Sequence, residues 1–470
     1  MRTLKKRVSP IDIHRLLPMT NCRECGEENC MAFAAKLVNR EATLDQCPPI
    51  MQEKYKTSFN QLWEILKPPI KEVSIGSGEH VLKIGGKYVL YRHEFTYHNP
   101  TAIAIDVNDE MFEDQLLKRV KSIESLSYTY IGQSLRLDAV AVRSVSGDSK
   151  TFGKAVMKIS SMTELPLILC STEPDIMEAG LVSSSERRPL IYAATARNWK
   201  EMAELATMYN CPIVASAPEG LSQLRSLIKT LNDYGCENII LDPGTFPDDG
   251  VVQTVTRFST LRLTACKYDD ELFGYPIMGV PMTVWMEKDH HPDVLKWKEA
   301  YLASMLIVKY ADLLIMHSLD GWVVLPNLIL RQNIYTDPRK PVAVEPGVRM
   351  FGKPDENSPL LMTTNFALTY YTVAADIESF GLDCYLLVVD TEGLSVESAV
   401  AGRKLTADKI AEALGHSSMR EKLKHNKMVI PGRAARLSGE VEEATGWKIL
   451  VGPLDSSGIQ KFIHEKWTQT

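Results

Sequence analysis

Four cysteines near the start of this 470-residue chain are the residues whose type and spacing speak most directly of chemistry. They run Cys22-Arg-Glu-Cys25, then Cys30, then Cys47-Pro48, a C-x2-C-x4-C-x16-C pattern. Thiolates are soft ligands, and four of them complete the ligand set of a [4Fe–4S] cluster or of tetrahedral zinc. The spacing favours iron–sulfur. Three thiols within nine residues and a fourth returning from a distance suit the separated corners of a cubane, whereas zinc modules usually pair two close CxxC units. The competing reading is a zinc knuckle stapling a domain too small to bury much core. Nothing around the four suggests a substrate pocket, so electron transfer is the expected role. The other five cysteines (Cys170, Cys211, Cys236, Cys266, Cys384) are scattered singly beside apolar runs and read as small buried hydrophobes in a reducing compartment.

Other polar residues carry weaker signals. His290-His291 sits in Asp-His-His-Pro-Asp, where solvated loop polarity is a better reading than a metal site. His317, Asp106, Asp242 and Glu219 fall at or just beyond expected strand ends; without a spacing-specific motif none receives a catalytic role. Three polar turns near the C-terminus open helices or follow strands: Leu361-Met-Thr-Thr-Asn-Phe, Asp390-Thr-Glu-Gly-Leu-Ser and Pro431-Gly-Arg-Ala-Ala-Arg-Leu-Ser-Gly-Glu. Small residues and free N–H groups there suit a large ligand approaching the backbone, and they equally suit ordinary helix capping. The last third has no G-x-G-x-x-G, no Walker A and no D-x-H-x-x-G, which weakens nicotinamide, flavin and nucleotide readings.

The elements that must position these residues follow from periodicity. Residues 1–61 form a Cys-rich helical unit, and 62–98 a linker with a hairpin of Val81–Ile84 and Tyr88–Tyr91. Residues 99–332 alternate eight apolar runs, beginning at Ala102, Ala139, Leu165, Leu190, Pro212, Asn238, Met278 and Leu313, with amphipathic helices. Such strands imply a parallel sheet covered on both faces. Eight units in that length predict a closed (β/α)8 TIM barrel, with an open doubly wound sheet as the alternative. Residues 333–470 read as a Rossmann-like α/β domain with strands at Pro341–Glu345, Cys384–Asp390, Met428–Ile430 and Lys448–Val451, and a helix over Asn365–Phe380.

Composition excludes several function classes. With 53 Lys and Arg against 59 Asp and Glu, the net charge of −6 argues against nucleic acid as a main partner. No run is long and apolar enough for a membrane span, and the basic start lacks the apolar region of a signal peptide, so a cytoplasmic location is expected.

The ordered set of motifs resembles the large (gamma) subunits of the corrinoid/iron–sulfur protein in acetyl-CoA decarbonylase/synthase complexes. The matching segments are Thr20-Asn-Cys-Arg-Glu-Cys-Gly with Cys30 and Cys47-Pro-Pro, Gly85-Gly with Val89-Leu-Tyr-Arg-His, Thr363-Thr-Asn-Phe-Ala-Leu-Thr-Tyr, and Pro431 through Glu440. The resemblance spans essentially the whole chain. It implies a [4Fe–4S] cluster on Cys22, Cys25, Cys30 and Cys47, a central barrel, and a C-terminal corrinoid-binding domain. The corrinoid contacts it implies are Thr363, Thr364, Asn365 and Phe366; Gly393 and Leu394; and Gly432, Arg433, Ala434, Ala435, Arg436, Leu437, Ser438 and Gly439. These would act mainly through the main chain and leave the corrinoid base-off.

The activity so implied is a methyltransferase component. A methyl-tetrahydropterin would give its methyl group to Co(I) of the corrinoid, which passes it to the nickel centre of the acetyl-CoA synthase (beta) subunit, or the steps run in reverse. The cluster would restore Co(I) after adventitious oxidation, the hard chemistry being the cofactor's. Implied partners are a small (delta) corrinoid protein subunit as heterodimer mate, the beta subunit, and a pterin methyltransferase activity. Because the corrinoid must meet several partners, Arg331–Lys340 is the expected hinge. Two alternatives stand: an electron-transfer or scaffold subunit that binds a cluster and no corrinoid, and a barrel that is itself a pterin-dependent methyltransferase.

Overall fold

The computed structural model describes residues 8–39, 41–94, 97–286, 290–337 and 341–467. The chain divides into two compact units at Tyr335/Thr336, with the segment Thr129–Ser134 grouped with the second.

In the first unit, short helices at Pro10–His14, Cys30–Val38 and Lys56–Leu66 gather a small core of Ile13, Leu17, Phe33, Leu37, Leu44, Ile50 and Leu62. The last of these helices runs on to Leu66, across the 61/62 position where the sequence suggested a boundary. The hairpin that follows differs from expectation. Strand β1 (Glu72–Ile75) pairs antiparallel with β2 (Leu82–Gly85), from Glu72↔Gly85 to Ile75↔Leu82, and Tyr88–Tyr91 forms no strand. Gly85 and Gly86, at φ +77° and +67°, turn the chain out of the ladder just where a hairpin to Tyr88 would need it to continue.

The eight apolar runs all become strands: β3 (Ala102–Asn108), β4 (Ala139–Arg143), β5 (Leu167–Cys170), β6 (Leu190–Ala194), β7 (Ile213–Ser216), β8 (Ile239–Asp242), β9 (Met278–Gly279) and β10 (Leu313–Met316). They hydrogen-bond in the order β8-β7-β6-β5-β4-β3-β10-β9, all parallel. A parallel bridge from Leu241 to Ile277 joins the two ends and nearly closes the ring. The result is a TIM-barrel-like sheet, and the open alternative is set aside. Covering helices pack by their apolar stripes; Leu221–Tyr234, for example, buries Leu224, Leu227, Ile228 and Leu231 at helical spacing. Inside, Ala104, Ala141, Leu190, Val214, Ile240 and Ile315 share one cluster with Val73, Ile75 and Ile84 of the β1–β2 hairpin. Lys71 N–H bonds to Gly274 O and Gly76 N–H to Arg188 O, both in loops that lead into strands. The hairpin therefore plugs the N-terminal end of the barrel and leaves the C-terminal end, where strand-end residues gather, as its mouth.

The second unit holds a five-stranded sheet in the order β11 (Gly347–Phe351), β13 (Cys384–Val389), β12 (Leu360–Thr364), β14 (Lys427–Ile430), β15 (Lys448–Val451). All pairs are parallel except β11 with β13. Two corrections follow. The expected strand Pro341–Glu345 is a single bridge, Ala343 to Phe366, flanked by Pro341 and Pro346, which have no N–H to give a ladder. The Leu360–Thr364 run, read as a polar helix entry, is instead a central strand with all five residues buried, and its helix starts at Ala367. The expected hinge is also corrected in part. Arg331 lies inside the helix Gly321–Tyr335, donates to Thr101 O (3.0 Å) and Arg136 O (2.9 Å), and pairs with Asp138, so it staples the barrel. Residues 338–340 of that segment lie outside the described residues.

Candidate functional sites

The parallel strands of the second unit run second, first, third, fourth across the sheet, so the direction of travel reverses between β12 and β14. In open α/β sheets ligands bind at such a reversal, beyond the carboxyl ends of the strands. A cavity of about 330 Å³ opens there, lined by Leu361, Met362 and Thr363 of β12, by Leu368, Thr369, Thr372 and Val373 of the next helix, by Ile430, Pro431 and Arg433 at the end of β14, and by Gly452 to Ser456 after β15.

Thr363 and Thr364 end β12 at 1% and 0% exposure, and neither hydroxyl has a hydrogen-bond partner. A buried unsatisfied hydroxyl costs about 1–3 kcal/mol, and Thr363 also lines the cavity. Asn365 behaves differently. Its Oδ1 accepts from Thr391 N (2.9 Å), Thr391 Oγ1 (3.0 Å) and Gly393 N (3.1 Å), and its Nδ2 donates to Asp390 Oδ1 (2.9 Å). These four bonds hold the turn after β13, which includes Gly393 and Leu394. Phe366 is the N-cap residue of the helix Ala367–Phe380.

Gly432 opens a 3-10 turn that runs to Leu437 and leads into the helix Ser438–Thr445. It donates to Pro453 O (2.9 Å), and a Cβ there would come within 2.7 Å of that oxygen and 2.8 Å of Gly452 O. Only glycine lets these two post-strand turns touch. Arg433 lines the cavity and pairs with Glu397 at 2.7 Å, and Arg436 bonds to Val400 O. Ala434 and Leu437 pack into the core under the sheet, while Ala435 and Gly439 are exposed and Ser438 is half-buried. Of the turn residues named from the sequence, then, Thr363 and Arg433 line the cavity. The helix face Leu368, Thr369, Thr372 and the turn Pro453–Ser456 were missed; the Gly452-Pro453 pair ending an apolar run was the available signal.

The cysteine loop occupies the first unit. Met19, Asn21, Arg23 and Gly26 all carry positive φ (53°, 48°, 65° and 82°). Such conformations cost non-glycine residues about 1–3 kcal/mol each, and left-handed turns in a loop aim successive N–H groups into the concavities that hold Fe–S clusters. Asn21 locks the loop onto the helix Cys30–Val38: its Oδ1 accepts from Cys30 N (2.9 Å) and its own N–H points to Cys30 Sγ (3.4 Å). Cys47 sits between two 3-10 turns, Leu44–Gln46 and Pro48–Met51. Burial pushes its thiol pKa up, and the nearby Cys25, Cys22 and Cys30 add to that. Cys22 is exposed, Cys25 half-buried, and Cys30 and Cys47 buried. Among the described residues no three His, Cys, Asp or Glu side chains close to single-ion distance. His291, the other metal candidate, takes the Asp293 N–H at 3.3 Å and caps the helix Pro292–Val308.

The barrel mouth brings together residues that the sequence left unassigned. Asp106, Arg143, Tyr192, Ser216, Asp242 and His317 each lie two positions beyond an inward apolar residue, so strand alternation turns them into one polar crown. Asp242 accepts from Tyr192 OH (2.9 Å), Ser216 Oγ (3.0 Å) and Gly244 N (2.9 Å), and burial still raises its pKa. Asp106 faces the opposite balance. Burial works to raise its pKa, but the bond from His317 and the charges of His317, Arg143 and Arg119 outweigh it and hold it below the usual carboxylate range. Glu219 is exposed and joins neither group.

Comparison with known proteins places the chain. The family model described as CO dehydrogenase/acetyl-CoA synthase delta subunit matches residues 72–463, and an Fe-S cluster family model matches residues 17–49. A relative named acetyl-CoA decarbonylase/synthase complex subunit gamma 2, from Methanosarcina thermophila, is 45% identical over 98% of both chains. Relatives named subunit gamma from Archaeoglobus fulgidus and Methanothermobacter thermautotrophicus are 44% and 42% identical, over 98% and 97% of this chain and 98% of theirs. The chain belongs to the gamma-subunit family of the acetyl-CoA decarbonylase/synthase complex. That family assignment follows the full-length gamma relatives; the model bearing the delta description leaves out the Fe-S segment. The Fe-S match makes the cysteine loop of this gamma-family chain an iron–sulfur site. A solved dihydropteroate synthase from Xanthomonas albilineans, in complex with 7,8-dihydropteroate, covers 56% of this chain and 100% of its own at TM-score 0.41 and 12% identity, a likeness of fold and no more. No described helix is long and apolar enough to cross a membrane.

Proposed function

We propose that the chain is the methyl-carrying corrinoid/iron–sulfur component of its complex, with a base-off corrinoid at the β12/β14 reversal and a [4Fe–4S] cluster on Cys22, Cys25, Cys30 and Cys47. The observation that carries this reading is a mostly apolar cavity at the place where parallel sheets bind ligands, lined in part by Thr363, whose buried hydroxyl has no hydrogen-bond partner. A corrinoid bound there supplies a cobalt centre for moving a methyl group between a methyl-tetrahydropterin and the nickel centre of acetyl-CoA synthase, in either direction.

The chain's own residues bind, orient and exclude water. Thr363 offers a hydroxyl to a peripheral amide, and the wall of Leu361, Met362, Leu368 and Val373 keeps water from the buried part of the ligand. The main chain from Gly432 to Gly439 and the turn at Gly393–Leu394, held by Asn365, give a close-fitting polar rim. Of the other contacts that the resemblance implies, Arg433 lines the cavity, Ala434 and Leu437 are packed into the core and would offer main-chain groups alone, and Thr364, Phe366, Ala435, Arg436 and Ser438 would come into play only at the edge of a large ligand. Cys22, Cys25, Cys30 and Cys47 would hold a cluster able to supply electrons, and the Asn21 N–H that points to Cys30 Sγ would tune its potential. In this reading the chain is a methyltransferase component in the cytoplasm, working with the delta subunit, the beta subunit and a pterin methyltransferase activity.

The test is to purify the chain anaerobically and record its visible spectrum with cobalt and iron on the same sample. About one cobalt and about four iron per chain are expected, with a band typical of base-off corrinoid that shifts on reduction. Cys47→Ser should strip most of the iron and leave the cobalt. Iron without cobalt, even after corrinoid is supplied, would leave an electron-transfer or scaffold subunit.

A further inference from the structure

The barrel mouth holds a cavity of about 310 Å³ that the proposed methyl carrier does not use, lined by Arg119, Trp285, Lys296, His317, Ser318, Leu319 and Asp320. Its centre is a carboxylate–imidazole pair. His317 Nδ1 lies 2.6 Å from Asp106 Oδ1, and Asp106 is fixed by Arg143 Nε at 2.7 Å on its other oxygen and by Arg119 at 3.2 Å. The short contact to the carboxylate occupies Nδ1, and Nε2 is the ring nitrogen with no protein partner among the described residues, on a side chain that lines the cavity. The backbone holds the imidazole as firmly. Glu299, fully buried on the helix Pro292–Val308, takes the N–H groups of His317 and Ser318 (2.9 Å for the latter), and the Trp285 ring packs 4.6 Å from the imidazole. An imidazole so restrained, with one nitrogen tied to a carboxylate and the other turned to a cavity, is an arrangement for proton exchange.

The walls say what kind of molecule would exchange the proton. Lys296 and Arg119 bring positive charge to the rim; Lys296 pairs with Asp320 at 3.1 Å and with Asp293 at 3.4 Å, and Asp320 is the only carboxylate among the lining residues. Arg119 donates through Nε and one terminal nitrogen to Asp106 and the His317 carbonyl, and its other terminal nitrogen has no protein partner among the described residues. Donors thus outnumber acceptors, and the acceptor that stands apart is Nε2.

We infer that the mouth of the barrel is a second small-molecule site, taking an oxyanion-bearing ligand with one exchangeable O–H, which Lys296 and Arg119 hold and His317 deprotonates reversibly. The O–H bond of the ligand breaks and an N–H bond forms at Nε2. The electron pair stays on the ligand oxygen beside Lys296, and the imidazolium stays paired with Asp106. No electron leaves the site.

Inorganic phosphate is the probe, titrated calorimetrically into the full chain near pH 6, where it carries its own O–H, with the histidine side-chain 15N shifts recorded alongside to read a proton arriving at Nε2. Phosphate should bind, and one histidine Nε2 signal should move to its protonated position. Lys296→Met should weaken binding about tenfold or more, the loss of one charge-assisted contact. His317→Gln should keep affinity within about threefold and remove the shifted signal. Asp320→Asn should tighten binding, an effect that misfolding could not mimic. Absence of phosphate binding by the wild type, or binding indifferent to Lys296→Met and Asp320→Asn, would overturn the site. Binding with no shifted histidine signal, or a shift that survives His317→Gln, would overturn the role of the imidazole.

Discussion

The mouth of the barrel and the β12/β14 reversal of the second unit are both carboxyl ends of parallel strands, yet they are furnished in opposite ways. At the barrel mouth, polar side chains point inward and satisfy one another: Asp106 by His317 and two arginines, Asp242 by two hydroxyls and an N–H. At the reversal the lining is mostly apolar, the hydroxyls of Thr363 and Thr364 are orphaned, and the charged side chains Glu397 and Arg433 in the lining pair with each other. The first arrangement holds charge in place and suits a small ligand that trades a proton. The second leaves its hydrogen-bonding capacity unspent and suits a large ligand that brings its own polar groups. A closed ring of strands favours the former, because eight strand ends converge on one axis. An open sheet has only one crevice where neighbouring strand ends diverge.

Five substitutions would break or sharpen that contrast. Asn365→Ala has the largest expected effect. It removes the acceptor shared by Thr391 and Gly393, so the turn after β13 should lose order and the chain about 2–4 kcal/mol in urea unfolding. Gly432→Ala should cost about 1–3 kcal/mol, since its Cβ meets the backbone oxygens of Pro453 and Gly452, and cobalt retention should fall with it. If it bound cobalt normally, close approach of the two turns would not be what shapes the cleft.

The carboxylates of the barrel mouth give the third test, through pH. Asp106 has a depressed pKa in the fold, so its contribution to stability is present above the unfolded carboxyl value of about 3.9 and is lost as pH falls through the folded value. Asp242 has a raised one, so its contribution is full below about 3.9 and fades as pH rises towards the folded value. Asp106→Asn should therefore lower stability near neutrality and flatten the acid limb of the profile, while Asp242→Asn should raise stability near neutrality. Parallel shifts in the two variants would remove the distinction between the two carboxylates. Thr363→Val is the smallest effect on the fold. Removing an unsatisfied hydroxyl at constant shape should leave the cofactor-free chain within about 1 kcal/mol of wild type or slightly stabilise it. Corrinoid retention should drop severalfold, and equal retention would show that the hydroxyl is not a ligand contact.

Much of the barrel is legible in the amino-acid sequence. Its eight runs can be read because each is a short apolar block, buried on both sides, that no surface segment imitates. The strands β11 and β12 cannot. Leu360–Thr364 ends in two threonines that look like a helix cap, and only the burial of both hydroxyls reveals a central strand. Pro341–Glu345 misleads the other way, an apolar run that its prolines keep out of the ladder. The polar turns near 363, 393 and 432 are visible as turns. That Asn365 spends its side chain on the 391–393 loop, while Thr363 keeps its hydroxyl free, is not, because the two residues are nearly interchangeable as local capping signals.

By itself the sequence determined the chemistry of the cysteine loop and the alternation that builds the barrel, because thiol spacing and apolar periodicity are local and survive without a fold. The tertiary structure alone decided which strand ends meet. His317 and Asp106 are 211 positions apart, and Thr363 faces Arg433 across a crevice that exists only once β12 and β14 lie side by side. Partnerships of that kind depend on ring closure and on strand order, and neither is written in any window of neighbouring residues.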